Sequence, residues 1–394
     1  MSSGAEKSLD SHIPTLLRMW HPKTNRLSFR ELKDVSASLL SLQRGLTGNR
    51  KLSGAGYMED VNYLGAYLLY YWPVSFLQIS YAAQSDRSFF TELVKTKNEI
   101  RILDLGSGPG PATCALADIL TKINPGIKID ATLVDSSTKA VSLAVRIIKA
   151  DFNNVSVKAE TFNFEKKNYV PEGKYDVIIM SHALNELWKS ESNCLDKREA
   201  FLEKVTTMLT EDGILFLNEP AMLESSRNLI ALRDRLIAKG LYVHAPCTAC
   251  SECPAFKAGE NQTCHAEVMW NPIEPVASIA REAKLDRESV KMTYFIMSKK
   301  PSCEEEEDRS EDFRIVSDGM LNKAGRVRYL LCNGTERIPF SAKKDEEHAK
   351  KIGFFNLKRY DRVSVSDPEL RGDKDNKAYG VAESTSIGIY KFVK

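Results

Sequence analysis

The sequence has no apolar run long enough to span a bilayer; the stretch Leu64–Tyr81 is interrupted by proline, glutamine and serine. No membrane partner is expected. The opening residues MSSGAEKSLDSH lack the apolar core of a signal peptide and the arginine-rich, acid-poor character of a transit peptide. The expectation is an intracellular protein of the cytoplasm or mitochondrion. Charge of one sign is missing too. The 55 Lys and Arg against 53 Asp and Glu give a net charge of +2, which neither requires nor excludes a nucleic-acid partner. No internal repeat is evident.

What is present is enough chain for roughly two to three domains at about 150 residues each. Residues 1–95 read as helical. Leu32, Val35, Leu39, Leu40 and Leu42 recur at helical spacing, and Pro73 predicts a break or kink near Trp72. Residues 96–300 alternate short apolar strands with helices, the pattern of a parallel sheet with helical crossovers. The predicted class is α/β, a class I Rossmann-like methyltransferase domain following an N-terminal helical region. Residues 301–312 read as an acidic linker. Residues 313–394 carry several short strands and predict a small β-rich, barrel-like domain.

The first strand ends in Leu103-Asp104-Leu105-Gly106-Ser107-Gly108-Pro109-Gly110. Glycines there let a ligand approach the backbone ahead of a helix N-terminus. Gly-x-Gly-x-Gly alone admits a dinucleotide. The acidic Asp104, able to accept a ligand's amino group, and the departure from Gly-x-Gly-x-x-Gly spacing favour S-adenosylmethionine. Asp104, Gly106, Ser107, Gly108 and Gly110 are the expected cofactor residues. Asp135 closes the second strand, as ribose ligand or as helix cap. Glu160 or Thr161 ends the third strand near the expected adenine, with Phe162 available to pack the ring.

The fourth strand ends at Ser181, a further candidate cofactor contact, followed by His182, Asn185 and Glu186; Glu219 ends the fifth. These positions border the methyl group in such a fold. His182 suits a base, and Asn185, Glu186 and Glu219 suit orientation of an acceptor. The alternative is local: Asn185 capping a turn, Glu186 solvated, His182 satisfying backbone groups. No Asn-Pro-Pro-Tyr sequence follows strand four, which disfavours a nucleobase amine as acceptor.

Four of the eight cysteines fall within eighteen residues, Cys247, Cys250, Cys253 and Cys264. Thiolates suit zinc or an iron–sulfur cluster, and spacing does not decide between them. Cys114 sits in an apolar helical pattern and reads as a core residue.

The chain resembles the methyltransferase-like proteins associated with the small ribosomal subunit of mitochondria, found also in bacteria. The resemblance runs through YLGAYLLYYWP, LDLGSGPG, YDVIIMSHALNELW, NEPAMLESSRNLIALRDRLIAKGLYVHAPC, the later CP and CH, and GRVRYLLCNG. It implies a small-subunit assembly factor or rRNA methyltransferase holding a four-iron, four-sulfur (4Fe-4S) cluster. The family's ligand positions fall on Cys247, Cys253, Cys264 and, in the terminal domain, Cys332. Here Thr248 and Ala249 stand where the family has Pro-His, and Cys250 is an extra thiol and an alternative fourth ligand. Phosphate contacts would come from Arg326, Arg328, Lys343, Lys344, Lys350, Lys351, Lys358 and Arg359. Phe354, Phe355 and Tyr360 fit either base stacking or the domain core. Two readings stand beside this one: a methyltransferase for a small molecule or peptide, and a catalytically silent scaffold.

Overall fold

The computed structural model describes residues 3–22, 25–45, 56–85, 87–166, 171–247, 250–301, 312–373 and 376–391. Most of the acidic linker, with Cys303, and Thr248 and Ala249 lie outside them.

The N-terminal region is helical: α1 Gly4–Trp20, α2 Phe29–Gln43, α3 Val61–Ala66, α4 Trp72–Gln84 and α5 Arg87–Thr96. Both α1 and α2 begin at a Ser-x-x-Glu capping box, Ser3 with Glu6 and Ser28 with Glu31. Val35, Leu39 and Leu42 are buried on α2, with Leu32 and Leu40 half-buried beside them. Pro73 leaves its mark where expected. Tyr67–Tyr71 is a π-helical turn, and Trp72 N–H reaches back to the Tyr67 carbonyl. A widened turn accommodates a ring that has no N–H to donate, and α4 then starts with proline in its first turn.

The chain continues through β1 Glu99–Leu105, α6 Pro111–Ile123, β2 Lys128–Asp135, α7 Thr138–Asp151, β3 Val155–Thr161, β4 Tyr175–Ser181, α8 Cys194–Thr207 and β5 Leu209–Glu219. There follow α9 Leu223–Ala238, β6 Tyr242–Ala245, α10 Pro254–Lys257, β7 Ala266–Met269, α11 Val276–Ala283 and β8 Ser289–Ser298. The remainder is β9 Asp312–Ile315, β10 Met320–Leu321, β11 Arg326–Cys332, β12 Arg337–Lys343, α12 Glu347–Lys351, β13 Arg362–Ser366, β14 Glu369–Arg371, β15 Ala378–Gly380 and β16 Ser386–Tyr390.

These elements form two compact units, Met1–Glu219 with Met269–Val290, and Pro220–Val268 with Lys291–Lys394. The first holds parallel strands in the order β3-β2-β1-β4-β5. Strand order reverses direction beside β1, so the crevice for a ligand lies beyond the carboxyl ends of β1 and β4. The fold is α/β and Rossmann-like. Cys114 is fully buried on α6.

In the second unit β6 runs antiparallel to β8. A separate sheet has the order β14-β15-β12-β11-β9-β13-β16, with β10 on β11. Its core collects Phe313, Ile315, Tyr329, Leu331, Phe340 and Phe354. Tyr329 and Leu331 are buried on β11, while Arg328 before them is exposed and Leu330 between them only half-buried, the period-two alternation of a half-buried strand.

Candidate functional site

In the first unit, the turn after β1 is built by backbone that favours glycine. Gly106, Gly108 and Gly110 have φ of 75°, 50° and 78°. Gly106 N–H and Ser107 N–H both donate to the Val134 carbonyl, at 2.7 and 3.1 Å. A Cβ on Gly106 would lie 2.3 Å from that of Ala183, so the turn and the loop after β4 meet with no room for a side chain. From the helical region, buried Trp72 donates Nε1–H to the Pro109 carbonyl at 3.0 Å.

Asp135 braces this turn. Its Oδ2 accepts from Gly108 N–H and its Oδ1 from Ser137 N–H, both at 2.8 Å. The cap of α7 is Ser137, whose hydroxyl accepts from Ala140 N–H, so Asp135 does not hold the cap position itself. Asp104 is 1% exposed; Thr113 hydroxyl donates to its Oδ2 at 2.7 Å, while its Oδ1 has no partner among the described residues. Burial pushes its pKa up to about 7.

The short 3₁₀ turn Gly56–Glu59 closes over the same place. Glu59 accepts from the Ser137 hydroxyl at 2.7 Å and from Lys139 N–H at 3.3 Å. Burial raises the phenol pKa of Tyr57 and Tyr67, and the charges of Glu186 and Asp135 raise both further. The Tyr67 and Tyr71 rings lie 5.7 Å apart. Sequence reasoning missed Tyr57, Glu59 and these tyrosines as site residues.

His182 has φ 60°, a left-handed backbone rare outside glycine. Its N–H donates to the Asn218 carbonyl at 2.8 Å, and its Nε2 meets Gln78 Oε1 at 2.5 Å. Burial, with Arg287 adding to it, lowers its pKa to about 4, so the ring is neutral at physiological pH. Ser181 hydroxyl accepts from Asn218 Nδ2 at 3.0 Å. Asn185 and Glu219 are bonded to each other: Glu219 accepts from Asn185 N–H at 3.1 Å and from its Nδ2. Arg198, 2% exposed, donates to the Asn185 and Leu187 carbonyls. Burial drives Glu219 up to about 8 despite its two donors. Glu160 and Thr161 end β3 exposed; Phe162 is half-buried and donates N–H to the Asp135 carbonyl at 2.8 Å.

In the second unit, Cys247, Cys253, Cys264 and Cys332 line one cavity. Cys250 does not: Val243 N–H donates to its Sγ at 3.2 Å. Among the described residues, no group of three or more His, Cys, Asp or Glu side chains is arranged to hold a metal ion.

Three guanidiniums, Arg233, Arg314 and Arg337, also line the cavity. Arg233 is 0% exposed on α9, in the row of Leu229, Ile230 and Leu236. An arginine in an apolar helical stripe was a readable signal of a buried charge partner. It is bonded to Asp234 and to the Ser251 carbonyl, and Asp234 accepts from Cys253 N–H at 3.1 Å. Arg314 donates to the Pro246 carbonyl at 2.9 Å, and Arg337 to that of Thr263 at 2.9 Å. Burial, with the neighbouring cavity thiols adding to it, raises Cys253 and Cys332 to about 12.

Of the expected phosphate contacts, Arg328, Lys343, Lys344, Lys350, Lys351 and Lys358 are exposed. Lys350 pairs with Glu347, Arg326 donates to the Ser341 carbonyl, and Arg359 pairs with Asp318. Phe354 and Tyr360 are buried and Phe355 packs on the core, so these aromatics are not presented for stacking.

The family model "Mitochondrial small ribosomal subunit Rsm22" matches residues 66–348. A non-reducing polyketide synthase of Aspergillus novofumigatus, nvfA, is 29% identical over 141 residues, 35% of this chain and 5% of that protein. The polyketide synthase adrD of Penicillium roqueforti is 32% identical over 142 residues, 34% of this chain and again 5% of that protein. The chain thus spans about 5% of the length of these curated relatives. Among solved structures, a methyltransferase from Pyrococcus furiosus is 17% identical with a TM-score of 0.29, covering 54% of this chain and 82% of that one.

Proposed function

Because this chain belongs to the mitochondrial small ribosomal subunit Rsm22 family, we propose that it is an adenosylmethionine-binding factor of small-subunit assembly that acts in the mitochondrion. The observation that carries the reading is Asp135 accepting from Gly108 within the Asp-x-Gly-x-Gly-x-Gly turn. It sets a carboxylate beside the glycines, where a ribose would lie. The unpartnered Asp104 Oδ1 is a buried acceptor suited to the ligand's amino group.

Asn185 and Glu219 act as positioning residues: their mutual bonds hold the loop after β4 against the Gly106 turn. His182 and Glu186 are the residues we assign to the methyl acceptor. The neutral His182 ring, with Nε2 at Gln78, favours binding and orientation over strong base catalysis.

Cys247, Cys253, Cys264 and Cys332 would hold a 4Fe-4S cluster. Four thiols lining one cavity match the ligand count of a cuboidal cluster, whose thiolate ligands give it net negative charge, and three arginines on the same lining oppose that charge. Bound, the cluster supplies iron–thiolate bonds that tie the 247–264 segment to the end of β11. Ligation needs deprotonated thiols, so loading releases protons and stabilises the fold.

The test is to isolate small-subunit particles from cells carrying the tagged chain and supply tritium-labelled adenosylmethionine. Co-sedimentation of the chain with the particles supports the assembly role, and label in rRNA adds methylation to it. A chain that stays away from the particles while methylating small molecules overturns the reading.

A further inference from the structure

We propose that Tyr360 donates a hydrogen bond to the Cys264 thiolate of the cluster and thereby raises the cluster's reduction potential; this rests on the cluster reading above. Tyr360 Oη lies 3.1 Å from Cys264 Sγ. Between a thiol and a hydroxyl either atom can donate. Once the sulfur is an iron ligand it has no proton, so the hydroxyl must be the donor, and the bond becomes a charge-assisted one.

Both partners are held in place. Tyr360 is 1% exposed and has φ 70°, a left-handed backbone that its surroundings fix. Its N–H donates to the Ile315 carbonyl at 2.7 Å, and its own carbonyl accepts from Arg314 at 2.7 Å. The same Arg314 holds the Pro246 carbonyl next to Cys247. On the other side, Thr293 hydroxyl donates to the Cys264 carbonyl at 3.0 Å. A strained, buried tyrosine with its hydroxyl on a ligand sulfur is the arrangement by which outer groups tune a metal site. Hydrogen bonds to sulfur favour the reduced, more negative state and so raise the potential.

The experiment uses the full chain purified without oxygen, with iron and sulfide assayed first. Reduction is then titrated by electron paramagnetic resonance in wild type, Tyr360→Phe and Tyr294→Phe. Tyr294, whose ring is 6.1 Å from that of Tyr360, controls for loss of a buried hydroxyl. The expected result is a full cluster in all three, with a more negative potential in Tyr360→Phe alone. Equal potentials in wild type and Tyr360→Phe overturn the inference and leave the cluster reading standing. Wild type without iron and sulfide overturns the cluster reading itself. If Tyr360→Phe does not assemble, resonance Raman spectra of wild type in H₂O and D₂O decide: cysteine–iron bands should shift on exchange, and unshifted bands overturn the proposal.

Discussion

Gly106 and Ala183 approach so closely that a Cβ on the glycine would sit 2.3 Å from the alanine Cβ. The pair joins the turn after β1 to the loop after β4, and Gly106 adds a φ of 75° that alanine rarely adopts. Gly106→Ala is therefore expected to destabilise the chain by about 2–4 kcal/mol and to lose adenosylmethionine binding. Thermal unfolding of Gly106→Ala with and without Ala183→Gly separates the two causes. The second change should restore part of the loss, because it removes the clash and leaves the backbone strain.

Stability should fall as pH rises from about 6.5 to 8.5; below 6.5 the neutral buried rings of His182 and His265, both lowered to about 4, act in the opposite direction. Glu219 is raised from 4.5 to about 8 and Asp104 from 3.8 to about 7, both by burial. The folded chain thus binds protons that the unfolded chain has released. This contribution is full below about pH 4 and is lost as pH passes the folded values. Melting temperature against pH should decline less steeply in Glu219→Gln than in wild type. An unchanged slope would place Glu219 outside the effect.

Cys332→Ser should abolish iron and sulfide binding, whereas Cys250→Ser should leave both near wild-type content. The difference follows from position: Cys332 lines the cavity, and Cys250 accepts from Val243 instead. Anaerobic iron and sulfide assays of the two variants check it, and the reverse pattern would make Cys250 the fourth ligand.

Trp72→Phe keeps a ring in the core but removes the Nε1–H bond to Pro109. With the carbonyl buried and unpaired, the expected cost is about 1–3 kcal/mol, read as a lower denaturation midpoint with unchanged slope.

The local features were legible in the sequence. The glycine turn and the Pro73 break each depend on a few adjacent residues. What depends on distant pairing was not. Glu59 reaches Ser137 across 78 positions, and no periodicity announces it. Asn185 and Glu219 both stood out, but their bond to each other spans 34 positions, and spacing alone does not separate orientation of a substrate from a loop latch. Spacing also left Cys250 and Cys332 open, since the loop path at Cys250 and the pairing of β11 at Cys332 decide which thiol faces the cavity. Tyr360 read equally as stacking or core residue, and its hydroxyl on Cys264, 96 positions away, was invisible.

The central claim is tested most directly by isothermal titration of adenosylmethionine into the full-length, anaerobically purified chain, beside Asp135→Ala. One ligand should bind per chain, and affinity should drop at least about tenfold in the variant, roughly the loss of one charge-assisted hydrogen-bonding partner. Absence of binding heat at several temperatures in a folded wild-type chain, or equal affinity in the two proteins, would contradict the account.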